Sequence, residues 1–219
     1  MTEGHMSTYR MIEDVYWVGA IDWSVRIFHG YHTDEGSSYN AYLIMDEDVT
    51  LVDTVKAPFA NELLERIRAL TPLESVKYVL MQHAENDHTG ALPIIMRHLP
   101  NATIVANAVC QDHLCRLYPS LPDYKWLIVD GSTPLKLQRH TLAFVPIPYL
   151  HWPDSMISYC PELKTLFSND GFGQHIACSE RFSDQLKYLD HIIKLMREYN
   201  ANILGPFQAQ IARYLPVAL

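Results

Sequence analysis

The sequence predicts a single α/β domain, in which a β-rich central part is accompanied by amphipathic helices. Short apolar runs bounded by turn residues recur between residues 15 and 168, which is typical of strands. Apolar residues at helical spacing follow Pro58 and precede Tyr199. Strands and helices do not alternate strictly, and no repeat, low-complexity tract or linker divides the 219 residues. One domain over residues 1–219 is therefore predicted.

The composition excludes several classes of protein. Hydrophobic residues make up 48% and charged residues 19%, as in an ordinary globular chain. A net charge of −8, with no cluster of Lys and Arg, argues against nucleic-acid binding. We find no apolar stretch of the roughly 20 residues that a membrane span needs, and residues 1–10 are too polar for a signal peptide. A cytoplasmic protein without a membrane or nucleic-acid partner is expected.

The first predicted strands cover residues 15–18, 39–44 and 49–53. The polar run Asp46-Glu47-Asp48 supplies a turn between the last two, which predicts a hairpin. A surface helix then follows Pro58, and Pro72 lies beyond its end. The apolar positions of this helix are Leu63, Leu64, Ile67 and Leu70.

The remaining elements are predicted from the same two periodicities. The expected strands are residues 77–81, 103–106, 127–129, 135–137, 142–145, 156–160 and 165–168, and the expected helices are residues 92–99, 109–118, 182–199 and 206–215. Pro161-Glu162 makes the turn of a second hairpin. The four cysteines lack Cys-x-x-Cys spacing, and we expect reduced core thiols at Cys110, Cys115, Cys160 and Cys178.

The segment His83-Ala84-Glu85-Asn86-Asp87-His88 carries the strongest chemical signal. Two imidazoles and two carboxylates fall within six residues, directly after a predicted strand. Asn86, Thr89 and Gly90 are poor residues for a helix interior, so a loop is predicted. Four ligands from one loop cannot reach one metal without strain, whereas alternate residues can serve two ions. A binuclear site of iron, manganese or zinc is predicted, and Glu85 disfavours a nitrogen-rich zinc site.

Further motifs extend this signal over nearly the whole chain. They are Phe28-His29-Gly30, residues 36–44, the segment His83 to His88, residues 151–156 (His-Trp-Pro-Asp-Ser-Met), residues 166–170 and residues 201–204. Together they resemble the diiron domain of flavodiiron proteins, including flavorubredoxins, within the metallo-β-lactamase superfamily. The resemblance implies an αββα sandwich, with two mixed sheets flanked by helices, and a non-haem site for two irons.

The resemblance also implies a ligand set. His83, Glu85 and His151 would hold one iron, Asp87 and His88 would face the other, and Asp170 would bridge the two; in some members of the family the residue that matches His88 is not a ligand. Alone, His151 would be interpreted as a hydrogen-bonded histidine and Asp170 as a turn residue. Both follow predicted strands, as the first motif does, so all three segments can converge on one rim.

Two pocket residues follow from the same resemblance. His29 matches a residue near the site of the exogenous ligand, where an imidazole can donate a hydrogen bond. Tyr199 lies in an aromatic segment of the family, although Asn200 stands where a second aromatic residue is usual. Six other histidines have no comparable case and are interpreted as surface or core residues: His32, His98, His113, His140, His175 and His191.

The implied activity is reduction of dioxygen to water or of nitric oxide to nitrous oxide. Reduction of dioxygen takes four electrons and two ferrous ions supply two, so flavin mononucleotide in a partner or a missing domain, or a rubredoxin-like donor, is required. Family members continue past residues 203–204 into a last His ligand and a flavodoxin-like domain, and the domain is expected to be incomplete at its C-terminal end. A homodimer is implied as well, because in the family a neighbouring subunit presents its flavin.

Two alternatives remain open. A zinc metallohydrolase of the same superfamily would use a metal-bound hydroxide on an ester, thioester or lactone. A non-catalytic oxygen-binding or redox-sensing protein is the other, and the site could also hold a single metal.

Overall fold

The computed structural model describes residues 8–218. They form two large β-sheets stacked face to face, two small two-stranded sheets, and helices outside the sandwich. The strands are β1 (Tyr9–Ile12), β2 (Val15–Trp17), β3 (Ala20–Asp22), β4 (Ile27–Phe28), β5 (Tyr31–His32), β6 (Ser37–Tyr39), β7 (Tyr42–Ile44), β8 (Val49–Val52), β9 (Val76–Leu80), β10 (Thr103–Ala106), β11 (Trp126–Ile128), β12 (Leu135–Lys136), β13 (Thr141–Pro146), β14 (Met156–Cys160) and β15 (Thr165–Phe167). The α-helices are α1 (Ala60–Arg68), α2 (Asn86–Thr89), α3 (Leu92–Ile95), α4 (Ala108–Leu117), α5 (Leu189–Tyr199) and α6 (Gln208–Ala218), with a π-helical turn at Asn200–Leu204.

The larger sheet has the strand order β1-β2-β7-β8-β9-β10-β11. Its first strands pair antiparallel and β8 to β11 pair parallel, so this sheet is mixed. The smaller sheet, β12-β13-β14-β15, is antiparallel, although a second mixed sheet was expected. Its strands follow one another along the chain, joined by short turns at residues 137–140 and 161–164 and by a longer loop at residues 147–155, and such direct connections join antiparallel strands.

Three apolar clusters pack the sheets and helices against one another. The first packs α1, through Leu63 and Ile67, against the outer face of the larger sheet. The second lies between the two sheets and joins residues such as Leu80 and Phe144. The third packs the smaller sheet against the α5 end and the π-helical turn, through residues such as Ile157. These clusters confirm the predicted αββα sandwich.

Most predicted elements are present with shifted ends, and three predictions were wrong in part. The strand expected over residues 39–44 is interrupted after Tyr39 and divides into β6 and β7, which belong to different sheets. The helix expected over residues 182–199 begins only at Leu189, because the Gln185 side chain accepts hydrogen bonds from the amides of Arg181 and Phe182 and holds a separate turn. Residues 86–89, expected in a loop, form the helical turn α2. The Thr89 hydroxyl stabilises this turn by donating to the carbonyl of Glu85 at 2.9 Å.

Two further expectations concern the cysteines, predicted to be reduced core thiols, and the lack of a membrane-spanning segment. All four cysteines are free; Cys110 and Cys160 are buried, whereas Cys115 and Cys178 are only half-buried. Among the described helices, none combines the length and the apolar character needed to cross a membrane.

Candidate metal centre

The C-terminal ends of strands from both sheets meet at one edge of the sandwich. His83 follows β9 of the larger sheet, while His151 and Asp170 follow β13 and β15 of the smaller sheet. Hydrogen bonds to Gln82 join the two sheets here, from the Met156 amide to its carbonyl at 3.0 Å and from the Ser158 hydroxyl to its side chain at 2.6 Å. The convergence predicted from the sequence is therefore present.

Four side chains form what we call the first ligand cluster: His83, Glu85, His151 and Asp170. One ligand atom from each lies within 4.8 Å of all the others. Glu85 Oε2 is 3.2 Å from His83 Nε2 and 3.1 Å from His151 Nε2. Asp170 Oδ2 is 3.3 Å from His151 Nε2. The spacing suits donor atoms that share one ion.

A second ligand cluster adjoins the first and consists of His29, Glu85 and Asp87. The other oxygen of Glu85, Oε1, lies 3.1 Å from His29 Nε2, so this carboxylate faces both clusters. Asp170 has the same character, because its Oδ1 lies 3.2 Å from His88 Nε2. All six residues expected as ligands are therefore together, and His29 lies beside them.

The imidazole of His88 lies between carboxylates on both sides. Its Nδ1 is 3.3 Å from Asp53 Oδ2, opposite the contact of Nε2 with Asp170. Asp53 is buried and has a positive φ of 54° after β8, and its Oδ1 accepts a hydrogen bond from the Gln82 amide. Such backbone strain is common at functional sites. The sequence analysis missed Asp53, which carries no motif of its own.

Asp154 orients His83 from behind. Its fully buried carboxylate lies 3.1 Å from His83 Nδ1 and accepts a hydrogen bond from the Ala84 amide at 2.6 Å. Its other oxygen lies 3.2 Å from His113 Nδ1. A carboxylate behind a ligating imidazole fixes its tautomer and ring orientation. Asp154 belonged to a recognised motif, but its role was not predicted.

The charges of the cluster depend strongly on one another. Burial raises the pKa of Glu85, but contacts with His151, His29 and His83 outweigh this effect and hold it well below its usual range. Burial lowers the pKa of His151, yet the carboxylates of Asp170 and Glu85 raise it to about 9. His88 shows the same balance, and its pKa is raised well above the usual value, chiefly by Asp170 and Asp87. The buried carboxylates thus stabilise the protonated, positively charged form of both histidines.

The chemistry of the donor set fits metal ions. Within residues 8–218, several buried polar atoms have no aligned hydrogen-bond partner: Asp87 Oδ1, His151 Nε2, Asp170 Oδ2 and His29 Nε2. His151 Nε2, for example, lies near two carboxylate oxygens without an aligned hydrogen bond to either. Burying a polar atom without a partner costs free energy, and a cation bound among these atoms would give all of them a partner. Imidazoles combined with carboxylates suit iron, manganese or zinc.

Tyr199 closes one side of the site at the end of α5. Its ring is buried, and burial raises the pKa of its phenol well above 10, so the hydroxyl keeps its proton. The ring rests on Gly173, where a Cβ atom would come within 2.7 Å of Tyr199 Cζ. A cavity of about 480 Å³ lies beside this hydroxyl and is lined by His29, Asp87 and Asp170, among others.

The remaining histidines divide into three groups. His32, His98 and His191 lie on the surface or only partly buried, as expected. His140 is buried against Asp46 at 2.8 Å, far from the strand ends that form the site. His113 and His175 contact the site through Asp154 and His29, which their sequence context did not indicate. Their partners are remote in sequence, so no local pattern could have revealed these contacts.

Comparisons with known proteins identify relatives of this chain. A family model described as ODP family beta lactamase matches residues 38–211. The chain is 42% identical over 205 residues to a nitric oxide reductase of Moorella thermoacetica, covering 93% of this chain and 51% of that protein. It is 41% identical over 206 residues to a rubredoxin-oxygen oxidoreductase of Megalodesulfovibrio gigas, covering 94% and 51%. The chain therefore spans about half the length of these relatives.

A solved structure agrees in both fold and sequence. The flavodiiron protein of Giardia intestinalis matches 99% of this chain and 53% of its own, with 53% identity and a TM-score of 0.95. The relatives bear names of oxidoreductases, which does not favour the hydrolase alternative.

Proposed function

Since the chain belongs to the flavodiiron proteins, in the ODP family of beta-lactamase-type domains, we propose that it carries the diiron centre of an oxidoreductase acting on dioxygen or nitric oxide. The single observation that carries the proposal is the first ligand cluster, in which two imidazoles and two carboxylates converge within 4.8 Å. Relatives named for reduction of nitric oxide or oxygen support the class of substrate.

Each ligand has a proposed role that follows its contacts. His83, Glu85 and His151 would hold one iron, and Asp87 and His88 would face the second. Asp170 would bridge them, because its two oxygens face His151 and His88 respectively. When bound, a pair of irons supplies two electrons and a Lewis-acidic binding site for a small diatomic substrate.

The surrounding side chains would hold protons and limit water. Tyr199 keeps its phenolic proton next to the cavity and has no aligned partner within the described residues, so it can donate to a bound substrate. His29 faces the same space through Nε2. Trp152 packs edge-on against the His83 ring, at 5.1 Å between centroids, and shields that ligand from solvent.

The source of electrons is proposed from the family. Flavin mononucleotide in the remainder of a longer protein or in a partner, or a rubredoxin-like donor, would deliver them; the name of one relative includes rubredoxin. We propose a cytoplasmic homodimer, without nucleic-acid or membrane partners. Residues 1–219 would act within it as one metal-binding domain.

Gas consumption by the intact protein tests this function. Iron-loaded protein would be reduced through a flavin donor, and dioxygen and nitric oxide uptake would be followed with electrodes. We expect uptake of at least one gas, with loss of more than about 100-fold in His83→Asn and wild-type rates in the surface control His98→Asn. Equal rates in His83→Asn, or zinc-dependent thioester hydrolysis without gas uptake, would overturn the proposal.

A further inference from the structure

A row of hydrogen bonds leads from the protein interior to His29. The Ser37 hydroxyl lies 3.0 Å from His175 Nδ1, and His175 Nε2 lies 3.0 Å from His29 Nδ1. The far nitrogen of His29, Nε2, then lies 3.1 Å from Glu85 Oε1. Ser37 and His175 are 2% and 7% exposed, so water does not replace these bonds. We call Ser37, His175 and His29 the histidine relay.

Two hydrogen bonds fasten the residues directly after His175 to β6 and to the loop before β6. The Ser38 hydroxyl donates to the Ile176 carbonyl at 2.8 Å. The Ala177 amide donates to the Glu35 carbonyl, also at 2.8 Å. These bonds hold the His175 ring between Ser37 and His29.

The direction of the relay follows from the chemistry of the hydroxyl. Within residues 8–218, His175 is the one hydrogen-bond partner of the Ser37 hydroxyl. If this buried hydroxyl only accepted a bond from His175, its own hydrogen would be left without a partner, which is costly. Ser37 therefore donates to Nδ1 of His175.

The proton positions of both imidazoles follow from that donation. A neutral imidazole that accepts at one nitrogen carries its hydrogen on the other, so His175 donates from Nε2 to His29 Nδ1. His29 by the same rule carries its hydrogen on Nε2. The opposite arrangement would set a His29 lone pair 3.1 Å from a carboxylate oxygen of Glu85.

We propose that Ser37 and His175 are positioning residues that hold the proton of His29 on Nε2, so that His29 is a hydrogen-bond donor to the centre and not one of its metal ligands. This inference rests on the proposed function, because it distinguishes two roles at that centre. The distinction matters since His29 lies in the second ligand cluster, where its lone pair could otherwise join Glu85 and Asp87 around an ion.

The environment of His175 supports its neutral form. Burial lowers the pKa of His175 to about 3. Aromatic rings surround it, with the Phe28 centroid at 4.7 Å and the Tyr199 centroid at 5.3 Å. Such surroundings disfavour an imidazolium, which would donate at both nitrogens and break the order of the relay.

The tautomer of His29 can be read directly by nitrogen-15 NMR of histidine-labelled, full-length protein freed of metal by chelation. In the wild type we expect the Nε2–H form of His29. Ser37→Ala and His175→Phe should each shift the tautomer ratio at least about fivefold toward Nδ1–H, as loss of one hydrogen bond predicts. His175→Gln should keep the wild-type tautomer, because its amide can still accept from Ser37 and donate to His29.

Ser38→Ala is the matched control, since it loses a hydroxyl bond to the same segment but lies outside the relay. A wild-type His29 protonated on Nδ1 would overturn the inference. So would unchanged spectra in both Ser37→Ala and His175→Phe, or an equal shift in Ser38→Ala. Ser37→Ala removes a single atom, so the test stands even if His175→Phe fails to fold. The measurement involves neither metal nor gas uptake, so its failure is distinguishable from failure of the proposed function.

Discussion

Asp170 Oδ1 lies 3.2 Å from His88 Nε2, at the boundary between the two halves of the metal centre. The other oxygen of the same carboxylate faces His151 in the first ligand cluster. A carboxylate in this position can contribute one oxygen to each of two neighbouring ions.

Asp170→Asn should reduce metal binding from two ions per chain to one or fewer. The amide keeps the size of the side chain but loses its charge and one of the two acceptor oxygens. Metal analysis after equilibrium dialysis checks the stoichiometry, with the exposed Asp112→Asn as a control. Retention of two ions in Asp170→Asn would show that Asp170 is not the bridge.

Asp154→Asn should weaken metal affinity by about 10- to 100-fold, because the carboxylate that orients His83 is lost. Competition with a chromophoric chelator measures this change. The Asp112→Asn control carries the same chemical substitution on the exposed face of α4, where its partner is Arg116. Equal affinities in Asp154→Asn and the control would mean that His83 needs no carboxylate behind it.

Gly173→Ala should destabilise the protein by about 1–3 kcal/mol, the usual cost of overpacking. The new methyl group would meet the Tyr199 ring at 2.7 Å, whereas Gly171→Ala would meet only the Ser168 Cβ at 3.9 Å. Urea unfolding of the two variants compares the same change at neighbouring positions. Similar stabilities would contradict the close packing of Tyr199 on Gly173.

Asp46 should make stability depend on pH well away from the metal centre. Burial raises the pKa of its carboxyl, but a hydrogen bond with the Glu47 side chain, together with hydrogen bonds from the backbone of Arg139, Glu47 and His140, prevails and lowers it from 3.8 to about 2. A pKa lowered by folding gives stability that is present above pH 4 and is lost as the pH falls toward 2. The expected contribution is about 1–2 kcal/mol.

Asp46→Asn should therefore flatten the fall in the free energy of unfolding between about pH 4 and pH 2. Urea titrations at several pH values measure this slope. Asp112→Asn, which removes an exposed carboxylate on α4 outside this turn, should keep the wild-type slope. An unchanged slope in Asp46→Asn would assign the acid sensitivity to other carboxylates.

Much of the fold was accessible from the sequence because its signals are local. The apolar run of β9 and the polar turn between β7 and β8 are clear local patterns, and helix α1 has a well-defined apolar face. Strands β4 and β5 have two residues each, too few to show any alternation. Their pairing depends on neighbours that a sequence pattern does not reveal.

The proposed metal ligands had two kinds of signal in the sequence. His83 to His88 is a dense local motif, whereas His151 and Asp170 were assigned through the resemblance to flavodiiron proteins. The supporting residues had no such signal: His175 meets His29 across 146 positions, and Asp53 meets His88 across 35. Only the folded chain places these pairs in contact, so their roles could be inferred from the structure alone.

The most direct test of the central claim is the metal content of the intact protein after expression with iron and anaerobic purification. We predict about two irons per chain, with an absorption change when dioxygen or nitric oxide is added. Stable occupancy by zinc alone, or iron that does not respond to either gas, would contradict a diiron centre built on His83, Glu85, His151 and Asp170.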